Sequence, residues 1–155
     1  MSDVEVSVHV ETSADAVYAL VSDLTRMGQW SPECTGCTWR GGATGPTVGA
    51  AFKGRNRKGI ARWSTNGEVV EATAGRAFAF DVTSLGQAVA RWGYRIEPDA
   101  DGAGCTLTET WDDHRRGIFK TVTGMALQVP DRARHNTLGM EATLAKMKAA
   151  AETAG

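Results

Sequence analysis

The sequence contains no extended apolar stretch and carries almost no net charge. No segment approaches the roughly 18 to 20 consecutive apolar residues of a membrane span. Its 17 basic side chains nearly balance 18 acidic ones, and the formal charge of −1 argues against a general nucleic-acid or anionic-membrane binder. The N-terminus also lacks the charged and apolar regions of a secretory signal, so we expect a cytoplasmic protein.

Cysteine is scarce as well. Cys34, Cys37 and Cys105 are an odd number in a chain of 155 residues, so no disulfide framework is expected. Cys34 and Cys37 have the spacing of redox and zinc motifs. On a strand, however, residues three apart point to opposite faces, a redox pair normally starts a helix, and no second Cys or His pair completes a zinc site. We therefore predict no redox role, no metal and no cofactor.

Small and very large side chains dominate the apolar composition. The chain has 18 glycines and many alanines, while much of its bulk comes from five tryptophans, Trp30, Trp39, Trp63, Trp92 and Trp111. Such a mixture can leave an interior that is not completely filled, because voids open where small side chains face one another. A genome that favours Ala and Gly explains the composition equally well.

The first part of the chain is predicted to form a strand followed by two short helices. We expect one domain over residues 1–155. Valines alternate with polar residues from Val4 to Val10, as in a strand with one buried face. Thr12 or Ser13 can cap a helix over 14–21, and a second short helix is expected around 24–29.

The middle of the chain is predicted to contain six further strands. Turn residues separate segments near 34–41, 48–56, 60–73, 76–83, 89–97 and 104–112. Connections this short favour antiparallel pairing, because parallel neighbours need long crossovers. Glycines at 36, 54, 67 and 93 fall inside these strands, where they predict bulges or bends that curve the sheet.

A long helix is predicted to close the chain. Asp131 can cap it after Pro130, and it extends to about Glu152. Of two apolar stripes on this helix, we expect the bulkier one to face inward: Asn136, Met140, Thr143, Leu144, Met147 and Ala151. The preceding segment, Gly117 to Val129, has an apolar stripe that suits either a movable lid or ordinary docking onto the sheet.

This order of elements resembles the helix-grip architecture of the START-like, birch-pollen-allergen-like superfamily, called SRPBCC in bacteria. The similar motifs are Ala14-Asp15-Ala16-Val17-Tyr18, Trp30-Ser31-Pro32, Val48-Gly49 with Phe52, Gly75-Arg76 before Phe78, and Gly104 to Thr110. The resemblance implies an α+β fold with a seven-stranded curved antiparallel sheet around the C-terminal helix. In the polyketide cyclase/dehydrase and lipid-transport branch, it also implies a hydrophobic cavity. The family has no universal catalytic set to transfer.

The candidate cavity residues follow from the alternation of side chains between the two faces of each strand. The inward-facing set is Phe78, Phe80, Trp92, Tyr94, Leu107 and Trp111, with Phe52 and Trp63 from earlier strands and Asn136 and Met140 from the helix. Any one of these side chains can simply pack the core. As a set they are predicted to line a pocket, because small-molecule sites combine apolar walls with a few polar groups.

Two ionisable residues are candidates for chemistry. The same alternation places Glu109 on the inner face of the sheet, where an unpaired charge is costly. The Glu109 carboxylate therefore needs a partner or a proton. A raised pKa suits proton transfer or ligand orientation, whereas a structural hydrogen bond or an outward turn of the strand is the alternative. His135 opens the long helix, where it serves either as an acid or base or as a solvated capping residue.

Three functions remain open at this point. The first is a carrier or sensor of a lipid, polyketide or aromatic metabolite. The second is a polyketide cyclase, aromatase or dehydrase in which Glu109 or His135 moves protons. The third is an interaction module that uses segment 117–129 or the basic hairpin, which otherwise is expected to be solvated: Lys53, Arg55, Arg57, Lys58 and Arg62. The expected partner is a small hydrophobic molecule and not nucleic acid, and the chain is a monomer or a homodimer.

Overall fold

A computed structural model describes residues 2–126 and 131–154 of the chain. Seven strands form one antiparallel sheet in the order β1-β7-β6-β5-β4-β3-β2. Their bounds are β1 Val4–Val10, β2 Cys34–Arg40, β3 Ala51–Lys58, β4 Ala61–Thr73, β5 Ala77–Ser84, β6 Gln87–Pro98 and β7 Cys105–Asp113. The predicted α+β helix-grip fold is therefore confirmed, and each strand end lies within three residues of its prediction.

Within the described residues, four helices accompany the sheet: α1 Ala14–Ser22, α2 Met27–Trp30, α3 Gly117–Ala126 and α4 Arg132–Ala154. A 3-10 turn, Leu24–Arg26, joins the first two. Ser13 caps α1, because its Oγ accepts the Ala16 amide at 3.2 Å. Asp131 caps α4 in the same way, through the Arg134 amide at 3.0 Å. Both caps satisfy amide groups that the first turn of a helix leaves unpaired.

The sheet register is irregular at three places. The pairing shifts between Cys34 and Gly36, between Val69 and Glu71, and between Val82 and Thr83. Gly36 thus lies at a bulge, as predicted. Gly67 has a different reason to be glycine: a Cβ there would come within 2.1 Å of the Phe52 ring. The ring lies directly against the strand, so any side chain at this position would displace it.

The long helix α4 packs along β1 and against α1, and its inward stripe is the predicted one. The buried residues of α4 are Asn136, Met140, Thr143, Leu144, Met147 and Ala151. The last three belong to the main apolar core, together with residues such as Val10 and Leu107. Met140 instead packs with Ala90 and Trp111 in a smaller cluster. The choice of the bulkier stripe as the buried one is confirmed.

The helix α3 does not bury its apolar stripe. Large fractions of three side chains are exposed, 82% of Ile118, 54% of Val122 and 75% of Met125. Docking of this stripe onto the sheet was one of the two expectations, and the structure contradicts it. The helix is instead tied to the end of β7 by polar contacts, because buried Asp113 binds Arg115 at 2.9 Å and Lys120 at 3.2 Å. The predicted positions Val129 and Pro130 lie outside the described residues.

Among the described helices, none combines the length and the apolar character needed to cross a membrane.

Candidate binding cavity

A cavity of about 150 Å³ lies between the inner face of the sheet and the first half of α4. Leu24 and Met27 contribute to its wall from the short helical segment that precedes β2. Six of the predicted apolar residues line it: Phe52, Trp63, Phe80, Trp92, Tyr94 and Met140. The predicted polar residues Glu109, His135 and Asn136 lie on the same wall. The fold thus brings together nine of the twelve candidates.

The other three candidates, Phe78, Leu107 and Trp111, are core residues. Phe78 and Leu107 are fully buried, within the main apolar cluster. Trp111 packs against Trp92 with ring centroids 6.4 Å apart, and of these two predicted residues only Trp92 lines the cavity. The alternation of side chains along the strands correctly predicted that these residues face inward. It does not distinguish a side chain that faces a cavity from one that fills the space beside it.

An edge-to-face aromatic cluster forms one side of the cavity. The Phe52 ring packs against Phe80 at 5.2 Å between centroids and against Trp39 at 6.0 Å, both nearly perpendicular. Aromatic pairs favour this arrangement, which stabilises beyond the burial of area alone. Because Gly67 leaves room for the Phe52 ring, this side of the cavity is rigidly defined by backbone as well as by side chains.

Glu109 is a carboxyl group buried deep in the wall. Only 3% of Glu109 is exposed, and the Tyr94 hydroxyl donates a hydrogen bond to its Oε1 at 3.1 Å. Burial raises the pKa of Glu109 to about 8, although the hydrogen bond from Tyr94 lowers it. Burial, followed by the nearby Glu109 carboxylate, also raises the pKa of Tyr94. At neutral pH Glu109 is thus mainly a neutral acid, which can donate a hydrogen bond.

Three polar atoms on the wall are buried and have no hydrogen-bond partner within the part of the chain that the structure describes. They are Glu109 Oε2, Asn136 Nδ2 and Arg132 Nη1, and all three residues line the cavity. A buried polar group without a partner costs roughly 1–3 kcal/mol, and more if it is charged. Such groups therefore need an explanation beyond packing, and a bound molecule is one.

Ion pairs connect β2 to α4 at one edge of the cavity. Glu33 binds Arg132 through Oε1, and its Oε2 lies 3.0 Å from His135 Nε2. An outer groove of about 630 Å³ shares Pro32, Glu33, His135 and Gly139 with the cavity. These shared residues form the boundary between the inner space and the surface, and we call them the mouth. Sequence reasoning identified His135 but missed Glu33 and Arg132, because their pairing depends on two elements about a hundred residues apart.

Cys34 and Cys37 also line the cavity, with their Sγ atoms 3.8 Å apart. The expectation that they point to opposite faces is wrong. Cys34 pairs with Asn56 and Gly36 with Arg55, so Thr35 is an extra residue in β2. A bulge of this kind changes the alternation of the strand, and both sulfurs come to the inner face.

The basic hairpin predicted from the sequence lies outside the cavity. In the basic hairpin, Arg55, Arg57 and Arg62 are exposed, as predicted, and Arg57 and Lys58 border the outer groove. Among residues 2–126 and 131–154, no group of three or more His, Cys, Asp or Glu side chains is placed to hold a metal ion.

Comparison with known proteins gives consistent matches. A family model described as polyketide cyclase/dehydrase and lipid transport matches residues 1–152. The Polyketide_cyc-like protein Cgl2372 from Corynebacterium glutamicum is 35% identical with a TM-score of 0.63, over 94% of this chain and 88% of that one. No protein with a curated description matches.

Two more distant solved structures share the fold. A START superfamily protein from Mycobacterium smegmatis is 18% identical with a TM-score of 0.59, over 86% of this chain and 94% of that one. The di-domain ARO/CYC StfQ of the steffimycin biosynthetic pathway is 14% identical with a TM-score of 0.74. That match covers 97% of this chain but only 50% of StfQ, so this chain spans half of that protein.

Proposed function

Because the chain belongs to the polyketide cyclase/dehydrase and lipid-transport family, we propose that it binds a small hydrophobic ligand in the cavity between the sheet and α4. The ligand is mainly apolar and has at least one polar group, and the protein acts as its carrier or sensor. Lipids, polyketides and aromatic metabolites are the classes that fit this description.

The single observation that carries this proposal is the set of unpartnered polar atoms on a mainly apolar wall. Asn136 Nδ2 and Arg132 Nη1 are hydrogen-bond donors, and protonated Glu109 can donate as well. A ligand with a carbonyl, hydroxyl or carboxylate oxygen would satisfy them. The apolar rings of Phe52, Phe80 and Trp92 would meet the remainder of the molecule.

The volume limits the size of the ligand. Pockets for drug-sized molecules measure roughly 300–1,000 Å³, so the cavity of about 150 Å³ holds a molecule of one or two rings. A longer ligand would have to extend through the mouth into the outer groove of about 630 Å³. We therefore expect compact aromatic or alicyclic compounds to bind entirely inside, and longer chains to bind with one end in the groove.

Binding can be tested by native mass spectrometry of the purified chain, followed by titration with an environment-sensitive apolar fluorophore. Two variants should reduce binding, Met140→Trp by filling the cavity and Gly139→Leu by narrowing the mouth. The second should fold well, because a Cβ at Gly139 meets only Pro32 at 3.6 Å and helix propensity improves. Ala145→Leu is the matched control, since Ala145 is exposed on the same helix and lines neither the cavity nor the outer groove.

The proposal fails if no apolar compound co-purifies or titrates, or if the folded Gly139→Leu variant binds the fluorophore as tightly as Ala145→Leu does. The first result would show that the cavity binds no apolar molecule. The second would show that the fluorophore binds elsewhere on the chain.

A second function is favoured by the state of Glu109. A carboxyl group with a pKa of about 8 is a general acid at neutral pH, and family membership makes a cyclase or dehydrase reaction the alternative. In that case Glu109 would protonate a carbonyl or hydroxyl oxygen of the ligand during ring closure or loss of water. Glu109→Gln should then abolish turnover of a poly-β-keto substrate while leaving its binding measurable. A fully active Glu109→Gln enzyme would remove this role.

A further inference from the structure

Cys34 and Cys37 form a neighbouring pair of thiols on the cavity wall. Their sulfurs are 3.8 Å apart and share a hydrogen bond. Both side chains are half-buried and reachable through the cavity, whereas Cys105 is completely buried. The pair is thus distinct from a lone structural cysteine, and nothing in the proposed ligand-binding function requires it.

The surrounding fold holds the pair in place. Gly28 of α2 lies against the bulge so closely that a Cβ there would fall 2.3 Å from the Thr35 carbonyl oxygen. Gly54, which pairs with Cys37 across the strands, has no side chain to cover the sulfur. The bulge is therefore fixed from outside by a helix, while the inner side of the sulfur pair stays open.

The two thiols are not equivalent. Hydrogen bonding with Cys37 lowers the pKa of Cys34 despite its burial, and the nearby Arg55 guanidinium lowers the pKa of both thiols. The Cys34 sulfur, together with burial, raises the pKa of Cys37. A thiolate and not a thiol attacks disulfides, so these directions favour Cys34 as the attacking residue and Cys37 as the resolving one.

We propose that Cys34 and Cys37 form a thiol–disulfide exchange site that takes small, uncharged disulfides from the cavity or its mouth. The Cys34 thiolate attacks one sulfur of the disulfide, forms a mixed disulfide and releases the first thiolate, which takes a proton from water. Cys37 then loses its proton and attacks the Cys34 sulfur, and the second thiolate leaves and is protonated. Two protein thiols are oxidised to one disulfide, and the small disulfide is reduced to two thiols.

The test exposes the reduced, folded chain to bis(2-hydroxyethyl) disulfide, blocks remaining thiols with N-ethylmaleimide, and maps the modified peptides by mass spectrometry. We expect a disulfide between Cys34 and Cys37, with Cys105 blocked only after unfolding. In Cys37→Ser, the reaction should stop at a mixed disulfide on Cys34. In Cys34→Ser, Cys37 should be modified at least about twofold more slowly than Cys34 is in Cys37→Ser, because burial still raises the pKa of Cys37 and lowers its thiolate fraction.

A double variant, Cys37→Ser/Thr38→Cys, is the matched control. It moves the second thiol one residue along β2 to the outer face, where exposed Thr38 lies beside Arg55. It should form a mixed disulfide at Cys34 and no internal disulfide. Reactivity of Cys105 in the native state reports any variant that has unfolded.

Three results would overturn the proposal. On the wild-type chain, it would be two independent mixed disulfides. Among the variants, it would be equal rates of thiol modification in Cys34→Ser and Cys37→Ser, or an internal disulfide in the double variant. Each would show that the two sulfurs do not act as an attacking and resolving pair.

Discussion

The two halves of α4 meet very different surroundings on the same sheet. The second half, with Leu144, Met147 and Ala151, packs into the continuous apolar core. Long polar side chains in this half also have hydrogen-bond partners, since Lys148 donates to the His9 carbonyl at 2.7 Å and Glu152 accepts from the Glu11 amide at 2.8 Å. The first half faces the cavity and includes two of the unpartnered polar atoms, on Arg132 and Asn136.

Because of this difference, the two halves of α4 are expected to contribute differently to the stability of the fold and to ligand binding. Where the helix is packed, each side chain is held by neighbours on all sides, and removing atoms leaves a void. Where the helix borders the cavity, space is already present, and polar atoms remain without partners at a cost to the folded state. The first half is therefore expected to control ligand binding and the second half to control folding.

The largest effect is expected from Leu144→Ala. Leu144 is fully buried in the core, and truncating a buried leucine costs about 2–5 kcal/mol. Met140→Ala, on the cavity side, should cost less, because that side chain already borders empty space. Denaturant unfolding of the two variants measures the difference. Equal losses would mean that the cavity contributes as much packing as the core.

The pH dependence of stability should distinguish Glu109 from the surface carboxylates. Its folded pKa of about 8 lies above the unfolded value, so the folded state binds more protons between about pH 4.5 and 8. Stability is then greatest below that window and falls as pH rises through it, by at most about 1.4 kcal/mol per pH unit. Glu109→Gln should remove this slope, as measured by denaturant unfolding across the window.

Tyr94→Phe sharpens the same experiment. Loss of the Tyr94 hydroxyl removes the hydrogen bond that lowers the pKa of Glu109, so the fall in stability should continue to higher pH. A wild-type profile as flat as that of Glu109→Gln would show that Glu109 is charged in the folded protein at neutral pH.

A smaller effect, with the opposite sign, is expected from Asn136→Leu. This change removes the unpartnered Nδ2 from an apolar wall, so the free energy of unfolding should rise by about 1 kcal/mol while binding of polar ligands weakens. Thr143→Val is the control on the same face. Its hydroxyl already donates to the Gly139 carbonyl at 2.8 Å, and removing it should bring no gain. A loss of stability in Asn136→Leu would place that amide in a satisfied network.

The smallest effect on stability is expected from Glu33→Gln at the mouth. Glu33 and Arg132 are mostly buried, with 18% and 15% of their side chains exposed, but the Gln amide oxygen can still accept from Arg132, so the loss should be about 1 kcal/mol or less. Ligand association and dissociation should nevertheless both become faster in stopped-flow measurements, because the link between β2 and α4 is weakened. Asp81→Asn, which breaks the exposed pair with Arg91 at 2.6 Å, should leave these rates unchanged. Equal rates in both variants would argue against entry at the mouth.

Periodicity was sufficient to predict much of this fold. Val4 to Val10 alternate as a strand with one buried face, and the stripe from Asn136 to Ala151 repeats at helical spacing with the larger volume on one side. Both patterns report burial directly, because burial selects apolar side chains at the period of the element. The same logic placed Glu109 on the inner face, where the structure finds it.

The errors have a common physical origin. Thr35 adds one residue to β2, and the face of Cys34 then no longer follows from simple alternation. Gly36 was recognised as a bulge position, and applying that bulge to the cysteines would have corrected their orientation. For Trp111 no local signal exists, since Trp92 and Trp111 have the same inward alternation on neighbouring strands and only Trp92 lines the cavity.

By itself, the sequence determined which strands form, that they pair antiparallel, and which faces of β1 and α4 are buried, because these depend on spacing along the chain. The tertiary structure alone decided which buried residues border empty space, which polar atoms remain without partners, and which distant groups meet at the mouth. These properties depend on distances between elements, and such distances result from how whole helices and strands pack, not from the period of any one of them.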